Sequence, residues 1–186
     1  MLHQMKNIFR VSILMLAAVS MHSCEDLGNL TNSTFAIVET DYYDLDFNVD
    51  PTDKAGFHIF TEEFITGDVT NVLEEAGFNS DKLESIHIYE ALVNLREVDT
   101  YKNFDLLKFI ELTVYTDDQG ETKVAWSDPV PENKISLTLD ISDSDILSYF
   151  KEDQFILTAQ GFLEERINSE MKLHAKVKFR VKVSLD

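Results

Sequence analysis

The chain is predicted to be mainly β, an antiparallel two-sheet β-sandwich with one or two short connecting helices, and three observations predict it. Apolar and polar residues alternate with a period of two in segment after segment, the pattern of a strand with one buried and one solvated face. The alternating segments draw on β-branched and aromatic side chains, with 13 Phe and 6 Tyr in 186 residues, and these pack well on a pleated surface. Strand patterns follow one another without long helical patterns between them, so no parallel βαβ sheet is required.

The first strand is read in YYDLDFNVD, where Tyr43, Leu45, Phe47 and Val49 share one face and Asp44, Asp46, Asn48 and Asp50 the other. Further strands are predicted at 56–61 (GFHIFT), 84–97 (ESIHIYEALVNLRE), 110–116 (IELTVYT), 123–127 (KVAWS), 134–141 (KISLTLDI) and 154–162 (QFILTAQGF). Within 84–97 the apolar face switches near Tyr89 to Leu92, which predicts a bulge or a crossing between sheets. Asp117-Asp118-Gln119-Gly120 has the residues of a hairpin turn. Two short helices are expected as connectors. One is Asp68 to Ala76, with Val69, Val72 and Leu73 at helical spacing and Gly77 as a stop; the other is Ser142 to Lys151, with Asp143 or Ser144 as its cap.

The last segment, MKLHAKVKFRVKVSL, carries the cleanest alternation. Met171, Leu173, Ala175, Val177, Phe179, Val181, Val183 and Leu185 line one face; Lys172, His174, Lys176, Lys178, Arg180 and Lys182 line the other. At this length it would extend roughly 50 Å, so it is expected to bend from one sheet to the other. Its basic face is expected to pair with acidic neighbours across the sheet. The alternative is a positive stripe in which Lys176, Lys178 and Arg180 contact an anionic ligand.

Ahead of this body, Lys6 and Arg10 form a positive region and Val11 to Val19 an apolar run interrupted by Ser12, the layout of an export signal. The run is shorter than the roughly 20 residues a membrane-spanning helix needs. Met5 would serve as a start as well as Met1. Met21-His22-Ser23-Cys24 resembles the lipobox of a bacterial lipoprotein, with Met21 at the apolar position, Ser23 at the small position and His22 where a small residue is usual. The resemblance covers about the first 30 residues. It implies a Gram-negative lipoprotein in which residues 1–23 are the signal peptide, Cys24 is the lipidated N-terminus, 24–34 is a flexible tether and 35–186 is a single β-sandwich domain. The rival is cleavage after Ala18-Val19-Ser20, which leaves Cys24, the chain's one cysteine, as a free thiol. A lone thiol in an oxidising compartment lacks a partner, which favours lipidation. Acyl chains would then hold Cys24 in a membrane, and the expected location is the cell envelope at the outer membrane, on its periplasmic or surface face. Glu25 and Asp26 fit a sorting signal, to the outer surface in some lineages and to inner-membrane retention in others.

Removing residues 1–23 takes away Lys6 and Arg10 and no acid, leaving 14 basic and 34 acidic residues, a net charge of −20. So anionic a body argues against nucleic acid as a partner, because binding there comes mainly from Lys and Arg neutralising phosphates. The partners expected are the membrane through Cys24 and an envelope protein or glycan.

Catalytic and metal signatures are weak. Asp44, Asp46, Asn48 and Asp50 have the odd-position spacing of a calcium loop, but Val49 stands where the loop needs Gly and Ala55 where it needs Glu, so the polar face of a strand is the better reading. His58, His87 and His174 lie on separate predicted strands with no ligand-spaced neighbour, and neither a nucleophile elbow nor a phosphate-binding glycine loop is present. No cofactor is expected. Trp126 is expected in the core as a strand-end tryptophan, with an exposed sugar-stacking platform as the alternative. The sequence thus points to a membrane-anchored, non-catalytic binding module or accessory subunit. A carrier of lipid or another apolar ligand between the sheets is the alternative, and a carboxylate-dependent hydrolase a more distant one.

Overall fold

In a computed structural model, residues 34–66, 79–96, 103–152 and 154–185 are described. The signal peptide, Cys24, most of the tether and the helix expected at 68–76 lie outside them. Among the described residues ten strands build two antiparallel sheets. The first sheet contains β1 (Phe35–Glu39), β2 (Tyr43–Val49), β4 (Leu83–Leu95), β7 (Ser136–Thr138) and β10 (Met171–Ser184). The second runs β3 (Gly56–Thr66), β9 (Gln154–Leu163), β5 (Leu107–Thr116), β6 (Gly120–Ser127) and β8 (Asp140–Ile141) in that spatial order. A 3-10 turn at Ser80–Lys82 leads into β4, and one short helix, α1 (Leu147–Phe150), precedes β9. Thr34–Asp186 forms one compact unit.

The alternation at the C-terminus does make the central strand. Every second residue of β10 from Met171 to Val183 is buried, and each large apolar side chain contributes about 1.5–3 kcal/mol there. The expected bend between sheets does not occur. β10 stays in the first sheet, pairing with β4 from Leu173↔Leu95 to Val183↔Leu83. On its other side it pairs first with β2 and then with β1, from Met171↔Val49 to Phe35↔Ser184. With partners along both edges, its backbone groups are satisfied without leaving the sheet.

The chain crosses between sheets elsewhere. The strand expected at 134–141 is two: β7 pairs with Leu92–Asn94 in the first sheet, and β8 pairs with Ala125 and Trp126 in the second. Leu137 and Leu139 both stay buried through the change, and the Leu139 N–H still donates to the Ala91 carbonyl. The switch read at Tyr89–Leu92 is a bulge, because Ile88 and Glu90 oppose the consecutive residues Phe179 and Lys178 and leave Tyr89 as the extra residue.

Inward side chains of the two sheets meet in one core. Phe47 of β2 stacks on Phe60 of β3, ring centres 6.3 Å apart. Phe150 of α1 sits 4.7 Å from Phe155 of β9 and 5.4 Å from Phe179 of β10, closing the space between the sheets. The helix is shorter than expected, and its cap is neither Asp143 nor Ser144. Asp145 Oδ1 accepts from the Leu147 N–H and also from the Ile86 N–H, so it serves the helix entry and the edge of β4 together. Among the described residues no helix is long and apolar enough to cross a membrane.

Candidate functional site

The cationic face of β10 turns to solvent, and cross-strand acids meet it. Lys178 and Arg180 reach Glu39 of β1 at 3.3 and 2.9 Å, Lys182 pairs with Glu84 of β4, and Lys176 lies 3.8 Å from Asp44 of β2. Both ring nitrogens of His174 face carboxylate oxygens, Nε2 that of Asp44 at 2.9 Å and Nδ1 that of Asp46 at 2.6 Å, while Arg96 also reaches Asp46 at 3.0 Å. These aspartates lie on the polar face of β2 and not in a calcium loop. Among the described residues no group of three or more His, Cys, Asp or Glu is arranged to hold a metal ion.

Two irregularities flank one point of this strand. On one side, β1 ends its pairing at Glu39↔Arg180 and β2 resumes at Tyr43↔Val177; Thr40 still bonds Phe179 through its N–H and its Oγ1, and Asp41 and Tyr42 fall in the gap opposite Lys178. On the other side lies the Tyr89 bulge, opposite the same two residues. An inserted residue re-aims its side chain, and here two tyrosines are turned onto the cations. Lys178 Nζ is 5.8 Å from the centre of the Tyr42 ring and 5.9 Å from that of Tyr89. Lys176 lies over Tyr42 at 5.6 Å, and the Arg180 guanidinium packs on Tyr89 at 3.7 Å. The Tyr42 hydroxyl donates to Glu90 at 2.5 Å, which with the nearby negative charge pushes its pKa up.

Charge-assisted hydrogen bonds tune the centre of the cluster. Arg180 and then Lys178 donate to Glu39 and hold its carboxyl below the usual range, while the same bond to Glu39 raises the Arg180 pKa. Arg180 Nη2 makes that bond. Its Nε is shut off from solvent and has no hydrogen-bond partner. Beside Arg180 a cavity of about 410 Å³ opens toward the edge of β4. His87, Ile88 and Tyr89 form one wall, and Ile141, Ser142 and Asp143, where the chain leaves β8, form another.

Lys176, Lys178 and Arg180 are therefore brought together, and Trp126 is not among them. Trp126 lies half-buried on the outer face of the second sheet, with Lys123 Nζ 4.9 Å from its ring centre. It is not in the core because its register partners, Glu111 and Asp140, are outward positions. That face carries a cross-strand row of Ile59, Gln160, Glu111, Trp126 and Asp140. Gln160 Nε2 donates to Glu111 at 2.9 Å, and Thr113 donates to Glu121 at 2.8 Å. Next to the row, Phe109 stands between Phe57 and Phe162, 6.4 and 6.2 Å away. Sequence reading missed Tyr42 and Tyr89 as site residues. The apolar-face switch at Tyr89 was the available signal for one of them.

No family model matches the chain, and no match is found among curated proteins. Among solved structures it is similar to one titled Desmodium yellow mottle tymovirus, at 6% identity over 86% of this chain and 94% of that one, with a TM-score of 0.27. A likeness at that level carries no argument about function.

Proposed function

We propose that this protein is a lipid-anchored, non-catalytic binding module of the bacterial cell envelope, tethered through Cys24 and presenting the outer face of its first sheet to a partner. One observation carries the binding reading: a gap between β1 and β2 on one side of β10 and a bulge of β4 on the other place Tyr42 and Tyr89 over Lys176, Lys178 and Arg180 beside a cavity. Bulges interrupt a ladder and are retained where a side chain must be re-aimed. Support for a non-catalytic role comes from the acids of this face, since Glu39, Asp44, Asp46 and Glu84 each face a basic side chain and Glu90 accepts from Tyr42. Carboxylates engaged in this way are poor candidates for proton transfer.

The anchor is supported by the resemblance of residues 21–24 to a lipobox and by the apolar run before them. Growth with radioactive palmitate tests it. The wild-type chain should incorporate label and fractionate with membranes; Cys24→Ala should do neither. Label that persists in Cys24→Ala would sink the anchor.

A further inference from the structure

We propose that β3 is a dimerisation edge: two copies of this chain pair their β3 strands antiparallel about a two-fold axis and so join their second sheets into one. The pairing goes beyond the binding-module reading and is independent of the lipid anchor.

An edge strand presents a row of unpaired N–H and C=O groups, and folds blunt such edges by keeping the strand short, broken or charged. Among the described residues three of the four sheet edges are blunted in these ways. β7 has 3 residues and β8 has 2. The edge opposite β7 is divided between β1 and β2, and β2 carries Asp44 and Asp46 on its polar face. β3 is different. It is 11 residues long and pairs, among the described residues, with β9 alone. Beside that open edge Phe57, Ile59 and Phe64 are 53%, 55% and 63% exposed. A partner strand would gain main-chain hydrogen bonds from the edge and apolar contact from these side chains.

The sequence of β3 complements itself. Its register on β9 slips at Phe60, between Ile59↔Gln160 and Thr61↔Ala159. Because of that slip Phe57, Ile59, Glu62 and Phe64 all lie on the outer face, while His58 and Glu63 fall on the inner face, opposite the buried Gly161 and Leu157. A two-fold axis between Phe60 and Thr61 places Phe57 opposite Phe64 of the second copy and His58 opposite its Glu63, each pair on one face. The aromatic pair joins two rows that the monomer already has. Phe57 continues into Phe162 and Phe109, and Phe64 into Ile156 and Tyr115, so one apolar row crosses the seam twice over. Charge favours a second copy over an unrelated strand. Lys54 and His58 stand at one end of β3 and Glu62 and Glu63 toward the other, so antiparallel self-pairing brings opposite ends together. A carboxylate turned inward at an edge rejects an apolar strand, but here Glu63 faces a ring that donates from both nitrogens when protonated. The axis is perpendicular to the sheet, so the first-sheet faces of both copies point the same way and a partner with repeated sites engages both.

Sedimentation equilibrium of the full chain carrying Cys24→Ala, which excludes a disulfide-linked pair, should show a monomer–dimer equilibrium in non-ionic detergent. Phe64→Lys, at an exposed position where folding is not at risk, should weaken association about tenfold or more, because the seam pair is lost twice. Glu63→His should weaken it too, and adding His58→Glu should restore it, since the swap rebuilds the pair in reverse. Trp126→Ala, toward the other edge of the same sheet, should leave association unchanged. Amide hydrogen exchange separates edge pairing from contact between sheet faces: the β3 amides that exchange freely in the monomer should be protected in the dimer. The proposal is overturned if the chain stays monomeric at about 1 mM. It is also overturned if the dimer survives Phe64→Lys, if the double swap fails to restore it, if the β3 amides gain no protection, or if association runs on into open-ended oligomers.

Discussion

The guanidinium of Arg180 packs against the ring of Tyr89, its central carbon 3.7 Å from the ring centre, although the two residues lie on different strands and Tyr89 has no register partner. The bulge brings this about. In a regular ladder Tyr89 would fall opposite one residue of β10; as the inserted residue it leans along the strand to Arg180. An exposed cation–π contact is worth about 0.5–1 kcal/mol. Tyr89→Ala should therefore lower stability by about that much in chemical denaturation, with Tyr89→Phe close to wild type. A Tyr89→Ala variant as stable as wild type would show that the stacking contributes nothing.

Glu39 makes stability depend on acid. Hydrogen bonds from Arg180 and Lys178 hold its folded pKa below the unfolded value of about 4.3, so its contribution is present above that pH and is lost as pH falls through the folded pKa. Glu39→Gln keeps the shape and removes the charge. Thermal melts followed downward from neutral pH should show a shallower acid limb in the variant, and identical limbs would refute the assignment. High salt should shrink the difference, because Glu39 is exposed.

Gly161 in β9 is required for space, with its neighbours already in place. A Cβ there would stand 2.5 Å from the Phe109 carbonyl and 3.0 Å from the Phe60 ring. Gly161→Ala should destabilise by about 1–3 kcal/mol, the usual cost of overpacking, as read from the urea midpoint. Gly120→Ala, whose Cβ would meet nothing but whose φ is +73°, tests backbone strain in isolation from contact.

Truncation after Glu170 removes β10, the strand that β1, β2 and β4 all pair with. The monomer should fail to fold at any concentration, shown by loss of dispersion in its amide spectrum. A truncated body that stayed folded and bound a peptide of residues 171–185 would place the strand as an exchangeable element instead.

How much of this was legible in the sequence varied with the range of the interaction. Period-two alternation marked β2 and β10 because each has one buried face, β-branched and aromatic content marked β5 and β9, and the Tyr89 bulge showed because a bulge breaks the period. β1 was not read as a strand. FAIVE begins with four apolar residues in a row and none of the five is fully buried, so it lacks the alternation that marks a strand with one buried face. Asp143 or Ser144 was read as the helix cap, but it is Asp145 that accepts from the Leu147 N–H, because the edge of β4, where the Ile86 N–H also needs an acceptor, holds its carboxylate there.

The sequence by itself determined the class of the fold, the acidity of its surface and the two-sided character of the last strand, since alternation and charge are written residue by residue. Only the tertiary structure decided which strands are neighbours, that β10 stays in one sheet, and that Trp126 lies apart from Lys176, Lys178 and Arg180. The cluster itself joins Tyr42, Tyr89 and Arg180, which are far apart along the chain. They meet because antiparallel pairing set the register on both sides of β10 and placed an irregularity on each side at the same point. Register is a non-local property, fixed by which buried faces fit together, and no local pattern encodes it.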